Sequence, residues 1–280
     1  MAERPLRRFF RHRLGVLGFC LVCLMIACAV GATSLMPRDP MNPDLYNSLA
    51  APSSEHVLGT DSIGRDVFSR LILGSRVSLE VGVLAVALYV IIGIIVGSLA
   101  GYYGKTVDAI LMRTADIVLS FPQLVVILTL VAIVGPGLRN MVLVIGFLGW
   151  PKIARIVRSQ FLSLREREFV LLARSAGATD ARVMVTHILP NCANAIVVNA
   201  TFGVAAAILM EASLSFLGMG VQPPTPSWGN MLMDAQSLTV LERMPWLWVP
   251  PGLLISLSVL SINFIGDALR DALDPKTIIR

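Results

Sequence analysis

The sequence predicts an all-α integral membrane protein with six transmembrane helices. Of its 280 residues, 55% are hydrophobic and only 15% are charged, and the mean hydropathy is +0.75. Soluble globular domains carry about 25% charged residues, so this composition argues against a soluble domain. The apolar residues stand in continuous runs, which excludes the alternating pattern of a membrane β-barrel. Several runs reach the ~20 residues that a helix needs to cross the hydrocarbon layer.

The N-terminal part begins with a basic arm, and the first apolar run follows it. Five arginines lie within residues 1–13, and residues 14–35 then carry no charge. A helix of this length measures about 33 Å, which is enough to cross a bilayer with some tilt. A cleaved signal peptide is the alternative, but the run is too long and further apolar runs follow. Four prolines between residues 37 and 52 then predict an extended loop outside the membrane.

Five more apolar runs predict the remaining spans. The breaks between them are rich in glycine, proline and charged residues. Pro122 and Pro151 are expected to kink the third and fourth spans, because proline removes one helical hydrogen bond. The predicted spans are Val77–Ala100, a helix from Val107 whose apolar part is Ile117–Val134, then Met141–Val157, Ala195–Leu217 and Trp246–Ile265.

The distribution of basic residues predicts the orientation of the chain in the membrane. With the N-terminus inside, the inner segments hold 17 of the 23 Lys and Arg residues, and the outer segments hold 6. Basic residues are enriched on the cytoplasmic side of membrane proteins. We therefore expect both termini, and the polar segment between the fourth and fifth spans, to be cytoplasmic. The net charge of +5 is explained by this asymmetry and indicates no nucleic-acid partner.

The longest polar interruption of the apolar chain, Glu168–Pro190, has helical spacing. Its first part places apolar residues at i, i+3, i+4 and i+7, which is one face of a short helix. Gly177 breaks the period, and Thr179 or Asp180 can cap a second short helix, which Pro190 is expected to end. On periodicity alone, a plain surface loop between two spans fits equally well. The apolar face consists of Phe169, Leu172, Ala173 and Ala176.

The same segment carries Ala173, Gly177 and the run Ile188-Leu189-Pro190 in this order. This order resembles the EAA loop of the permease subunits of ATP-driven, binding-protein-dependent importers, although residues 171–172 and His187 depart from the general motif. In that family the loop is a cytoplasmic element that docks on the ATPase subunit. The docking residues that the resemblance implies are Phe169, Leu172, Ala173, Arg174, Ala176, Gly177, Ala178, Leu189 and Pro190.

Three further segments resemble the C-type permease subunit of peptide and nickel importers: residues 56–79, 221–232 and 266–276. In the first, Asp61 could cap a helix that extends to Arg70. In the second, the prolines argue against a regular element. The resemblance implies the type I ABC importer permease fold. It divides the chain into an arm, first span and extracytoplasmic loop at residues 1–76 and a five-helix core at residues 77–280, with the docking loop at residues 160–190.

The resemblance also implies a function and an assembly. The chain is expected to form part of a path for di- or oligopeptides through the bacterial inner membrane, and nickel, a metal chelate or glutathione is the alternative cargo. The expected partners are a second, similar permease chain, two ATPase subunits, an extracytoplasmic substrate-binding protein and the lipid bilayer. ATP and Mg²⁺ would be bound by the ATPase subunits.

The chain itself offers no residues for catalysis, for a cofactor or for a metal ion. Gly104-Lys105-Thr106 is similar to the end of a phosphate-binding loop, but Leu99 occupies the position of the first required glycine and no strand precedes it. The four cysteines follow no disulfide or zinc spacing and are interpreted as small buried residues. We therefore expect a subunit that is not itself an enzyme.

Glu211 is the one charged residue inside the fifth apolar run. A carboxylate at this depth is unfavourable unless it faces protein or a water-filled path. A role in the transport pathway and a hydrogen-bonded structural role are both open. A secondary transporter, the first alternative function, would show inverted repeats and buried coupling carboxylates, and the sequence offers only Glu80 and Glu211.

Overall fold

The computed structural model describes residues 5–273, and this part of the chain is helical apart from its loops. Its extended pairing is limited to an isolated bridge between Thr60 and Asp66. The end of the third family-like segment, from residue 274, lies outside the described residues. The helices are α1 (Pro5–Arg11), α2 (Arg13–Val30), α3 (Ala32–Leu35), α4 (Val67–Tyr103), α5 (Lys105–Leu119), α6 (Gln123–Val134), α7 (Leu138–Leu164), α8 (Glu168–Ser175), α9 (Asp180–Arg182), α10 (Leu189–Phe216), α11 (Trp228–Met231), α12 (Leu238–Arg243) and α13 (Pro245–Leu273), with 3-10 turns at Leu45–Asn47 and Leu232–Gln236 and a π-helical turn at Val183–Ile188.

The six predicted spans are present if one bent pair of helices is counted as a single span. Within residues 5–273, five helices are long and apolar enough to cross a membrane, and the pair α5 and α6 makes the sixth. These two helices meet at 86°. Pro122 therefore does more than kink the third span. Its ψ of 113° is not helical, so α5 ends before it and α6 begins after it.

The second span begins earlier than predicted, at Val67 instead of Val77. Helix α4 is 37 residues long and runs across the predicted boundary at residues 76 and 77. Its N-cap is Asp66, which accepts a hydrogen bond from the backbone N–H of Ser69 at 2.8 Å. Asp61, the predicted cap, instead accepts the backbone N–H groups of Ile63 at 3.1 Å and Arg65 at 2.9 Å, and closes the turn before the helix.

The core is built where α4 packs along α7, with α10 against both helices. Gly93, Gly97 and Gly101 form a stripe at four-residue spacing on α4, facing α7. A Cβ atom at Gly93 would lie 2.6 Å from the Cβ of Ile153, so the two helices approach too closely for any side chain there. Stripes of small residues permit such close packing between membrane helices.

The fifth span also differs from its prediction, because Pro190 does not end the preceding short helix. Residues 180–216 form one continuous 37-residue helical run. The π-helical turn lets the backbone N–H of Leu189 bond the carbonyl of Met184, five residues back. Pro190 then occupies the first turn of α10, where its missing N–H group does little harm. The polar loop is thus joined to the span without a break.

The predicted burial of the four cysteines holds only in part. Cys192 is buried in α10, but Cys20 and Cys23 are exposed on α2 and Cys28 is half-buried. The outer face of a membrane span meets lipid, so a small apolar residue is suited to that face as well as to the protein interior.

Candidate functional site

The first half of the polar loop is helix α8, and it is anchored by a residue that the spacing analysis did not single out. Val170 is fully buried, whereas Phe169, Leu171 and Leu172 are exposed to 39%, 49% and 70%. The predicted apolar face therefore points away from the fold. Ala173 lies between the two faces and packs against the core. Helix α8 presents an apolar surface with no partner among the described residues.

Contacts with the end of α4 fix the orientation of the loop. The guanidinium of Arg174 lies over the ring of Tyr102, 4.7 Å from its centroid. The hydroxyl of Tyr102 donates a hydrogen bond to Asp180 at 2.6 Å. A cation above an aromatic face and a hydrogen bond to a carboxylate are both attractive. Tyr102 thus touches residues on both sides of the loop's bend and holds them against α4.

The bend itself is the predicted glycine elbow. Gly177 has φ of +82°, and no atom lies within 4 Å of the place where its Cβ would stand. The N–H of Ala178 donates to the carbonyl of Ala173 at 3.1 Å, which closes the end of α8. Of the two predicted caps, Thr179 is the one used, because its side chain accepts from the N–H of Arg182 at 3.4 Å.

The structure places the predicted docking residues on two stretches of the same loop. The residues from 169 to 178 lie on α8 and its bend, and Leu189 and Pro190 follow along the continuous helix. Ala176 and Pro190 are exposed, and Ala178 and Leu189 are half-buried. Sequence spacing located the region, but it could not separate the anchoring face of α8 from the outward face.

Glu211 lies at the centre of a buried hydrogen-bond network. Its carboxylate is fully buried. It accepts from the hydroxyl of Ser78 on α4 at 2.8 Å and from the hydroxyl of Ser215 on α10 at 2.7 Å. Each serine in turn accepts a backbone N–H of the loop after α10, Ser78 from Trp228 at 3.1 Å and Ser215 from Val221 at 3.2 Å. Of the two roles left open by the sequence, this geometry favours the structural one.

The loop after α10 is bound to this network and contains a regular element, although its prolines predicted none. It contains the short helix α11, capped by reciprocal hydrogen bonds between Ser227 and Asn230. The side chain of Trp228 is fully buried, and its Nε1 donates to the carbonyl of Leu71 at 3.2 Å. A Cβ atom at Gly229 would lie 2.6 Å from the Cα of Ala212, so only glycine permits this approach. The loop covers the end of the α4–α10 contact.

A second loop, before α4, meets the first through buried charges. Asp61 pairs with Arg65 at 2.7 Å and with Arg70 at 3.4 Å. His56 Nδ1 lies 2.9 Å from Asp66. Burial raises the pKa of Asp234, in the loop after α10, above its ordinary value, and the nearby Asp61 carboxylate raises it further. The proline-rich segment predicted as an extended loop is hydrogen-bonded back to this second loop, through the N–H of Asp44 to the carbonyl of Ile63 at 3.1 Å and the N–H of Leu49 to the carbonyl of Asp61 at 3.0 Å.

Comparison with known proteins identifies the family of this arrangement. Residues 93–279 match the family of binding-protein-dependent transport system inner membrane components. The chain belongs to this family. Residues 3–52 also match the N-terminal transmembrane domain of oligopeptide transport permease C. The predicted family and the inner-membrane location of this permease are therefore confirmed.

Relatives of the permease match it over almost its whole length. The dipeptide permease DppC of Alkalihalophilus pseudofirmus is 42% identical over 98% of this chain and 91% of its own. The di/tripeptide permease DppC of Pseudomonas aeruginosa is 43% identical over 97% and 92%. The glutathione permease GsiD of Pectobacterium atrosepticum is 44% identical over 96% and 89%.

A solved structure shows the same fold as the permease. A chain of the MetNI methionine ABC transporter, in inward-facing conformations, matches with a TM-score of 0.59 and covers 73% of this permease and 97% of its own length. Its sequence identity is 19%, so the likeness concerns the fold. The predicted ABC importer permease fold is confirmed.

Proposed function

We propose that this permease forms part of the path for di- or tripeptides in an ATP-driven importer of the bacterial inner membrane. The observation that carries the proposal is its near full-length similarity, at 42% and 43% identity, to two permeases named for dipeptide and di/tripeptide transport. Glutathione is the second candidate, because the permease named for it is 44% identical over 96% of this chain. Glutathione is itself a tripeptide and shares the carboxylate and amide groups of the other two cargoes.

The proposed assembly places the energy source in other chains. The outward apolar face of α8, with Phe169 and Leu172 exposed, is the surface that we assign to ATPase docking. Exposed apolar patches commonly mark contact sites with other proteins. Two ATPase subunits would bind ATP and Mg²⁺, a second permease chain would complete the path, and a substrate-binding protein would deliver the cargo on the outer side. The present chain would carry out no chemical step.

Uptake by the reconstituted assembly tests this function. The permease, its partner permease, the ATPases and the binding protein encoded with it are placed in proteoliposomes, and uptake of labelled glycyl-leucine and of labelled glutathione is followed. We expect ATP-dependent uptake of glycyl-leucine that ceases when a non-hydrolysable ATP analogue replaces ATP. Uptake of glutathione alone would favour the second candidate, and uptake of neither compound would contradict both.

Thiol labelling tests the proposed orientation, with both termini cytoplasmic. In a variant without native cysteines, Ser54→Cys and Thr239→Cys should react with an impermeant reagent added outside the cell, because both positions are exposed in the outer loops. Ser163→Cys, exposed at the opposite end of the bundle, should react only after lysis. Ser227→Cys serves as a control for accessibility, because Ser227 is fully buried and should stay unlabelled. Labelling of position 163 in intact cells would contradict the orientation.

A further inference from the structure

A recess of about 250 Å³ opens between α4, α6, α7 and α10, apart from the docking loop and from the Glu211 network. Most of its wall is apolar, including Ile153, Phe202 and Met210. Four polar side chains from four different helices converge on it. They are Tyr89, Gln123, Lys152 and Asn199. Apolar cavities with a few convergent polar groups are the usual form of a small-molecule site.

Lys152 is the only cation of the recess. It lies in the middle of α7, directly after the apolar segment of that helix, and its side chain is exposed. The next two basic residues on this helix are paired, Arg155 with Asp116 and Arg158 with Asp108. In the part of the chain that the structure describes, no such partner is recorded for the ammonium group of Lys152. An ionisable residue within a membrane span that lacks a structural partner is a candidate for a functional contact.

The other polar groups are held in place by the backbone around them. The side-chain N–H of Asn199 donates to the carbonyl of Ala195 at 2.8 Å, which leaves its side-chain oxygen as an acceptor. The ring of Tyr89 lies between two glycines, Gly149 on α7 and Gly203 on α10, and a Cβ atom at either position would collide with it. Gln123 begins α6 directly after the break at Pro122. The recess therefore combines one cation with neutral groups that can accept and donate hydrogen bonds.

We propose that this recess is a substrate-contact site on the translocation path, in which Lys152 pairs with the carboxylate of the passing peptide. The inference rests on the proposed function. A peptide offers a terminal carboxylate for the ammonium group, and amide and ammonium groups for Asn199, Gln123 and Tyr89. A hydrogen bond between two charged groups is stronger than one between neutral groups. The apolar wall receives the side chains of the peptide without selecting among them.

Charge variants at position 152 test the site in the complete reconstituted transporter with labelled glycyl-leucine. We expect Lys152→Gln to lower uptake at limiting peptide by about tenfold, since it removes one charged hydrogen bond. Lys152→Glu should lower it further, and Lys152→Arg should retain most of it. Arg139→Gln, on the same helix but outside the recess, is the matched control and should transport as the wild type does.

A chemical rescue separates charge from bulk and avoids any effect on folding. Lys152→Cys, without the native cysteines, is assembled first and then treated with a methanethiosulfonate reagent. The aminoethyl reagent forms a disulfide with the thiol and releases sulfinate, which leaves an ammonium group close to that of lysine. Uptake should return with this reagent and should not return with the sulfonatoethyl reagent, which adds a negative charge.

The outcomes distinguish this inference from the function on which it rests. If the wild-type assembly takes up no glycyl-leucine, the proposed function fails. If the wild type transports but Lys152→Gln transports equally well, or if both reagents restore the cysteine variant alike, the assignment of Lys152 to the peptide carboxylate is overturned while the function stands.

Discussion

Replacing Gly177 with valine should abolish most ATP-driven uptake while the amount of permease in the membrane stays normal. Gly177 has φ of +82°, and a β-branched residue in this region is strained by ~1 kcal/mol or more. Relief of that strain would rotate α8 away from α9 and misalign the apolar face that we assign to the ATPase. Insertion depends on the apolar runs and their flanking arginines, which the substitution does not touch. Uptake per mole of membrane-inserted complex, and copurification of the ATPase, measure the effect.

A second substitution at the same position supplies the control. Asparagine tolerates positive φ better than other non-glycine residues, and nothing lies within 4 Å of the Cβ position. Gly177→Asn should therefore retain clearly more uptake than Gly177→Val. Wild-type uptake by the valine variant, with the ATPase still bound, would show that Glu168–Pro190 is not the docking element.

Replacing Glu211 with leucine should destabilise the fold strongly. The substitution leaves the hydroxyls of Ser78 and Ser215 without their acceptor in a fully buried site. Each buried polar group left unsatisfied costs about 1–3 kcal/mol, so we expect a loss of roughly 2–6 kcal/mol. The loop after α10 should loosen as well, because both serines also accept hydrogen bonds from its backbone. Thermal unfolding is followed through the reaction of buried Cys192 with a thiol dye, in a variant that lacks the other three cysteines.

Glu211→Gln separates the structural role from a role in transport. Glutamine has nearly the same shape, and its side-chain oxygen still accepts from one serine, so the unfolding temperature should fall much less than with leucine. An unchanged unfolding temperature for Glu211→Leu would contradict the network as a stabilising element. A stable Glu211→Gln variant that no longer transports would instead restore the alternative pathway role.

The positions of the spans and the family could be predicted from the sequence, because apolar runs, charge asymmetry and residue order are local properties of the chain. The errors arose where tertiary contacts decide the outcome. The segment before Val77 was predicted as a separate helix ending at Arg70, yet the charge of Arg70 is paired with Asp61, and α4 runs unbroken from Val67. Proline at position 190 predicted the end of the second short helix, but a π-helical turn before it lets the helix continue into α10.

The candidate sites show the same division. Helical spacing located the docking loop, since one short helix produces the pattern. It did not reveal that Val170 is the buried residue of α8, because that depends on which face meets the core. The recess around Lys152 left no signal in the sequence. Its polar residues lie in four separate helices, and only packing brings them together.

The unbroken helix from Asp180 to Phe216 can transmit a displacement of one of its ends to the other. The elbow that we assign to the ATPase lies directly before this helix, and Glu211 anchors the helix to α4 and to the loop after α10 about 45 Å away, at 1.5 Å per residue. A rod of this length that tilts by about 10° displaces its far end by about 8 Å. The six-residue π-helical turn near Asp180 is the one stretch of this helix with a different pitch. A displacement of the docking loop can therefore be converted there into a rotation of the helix about its axis.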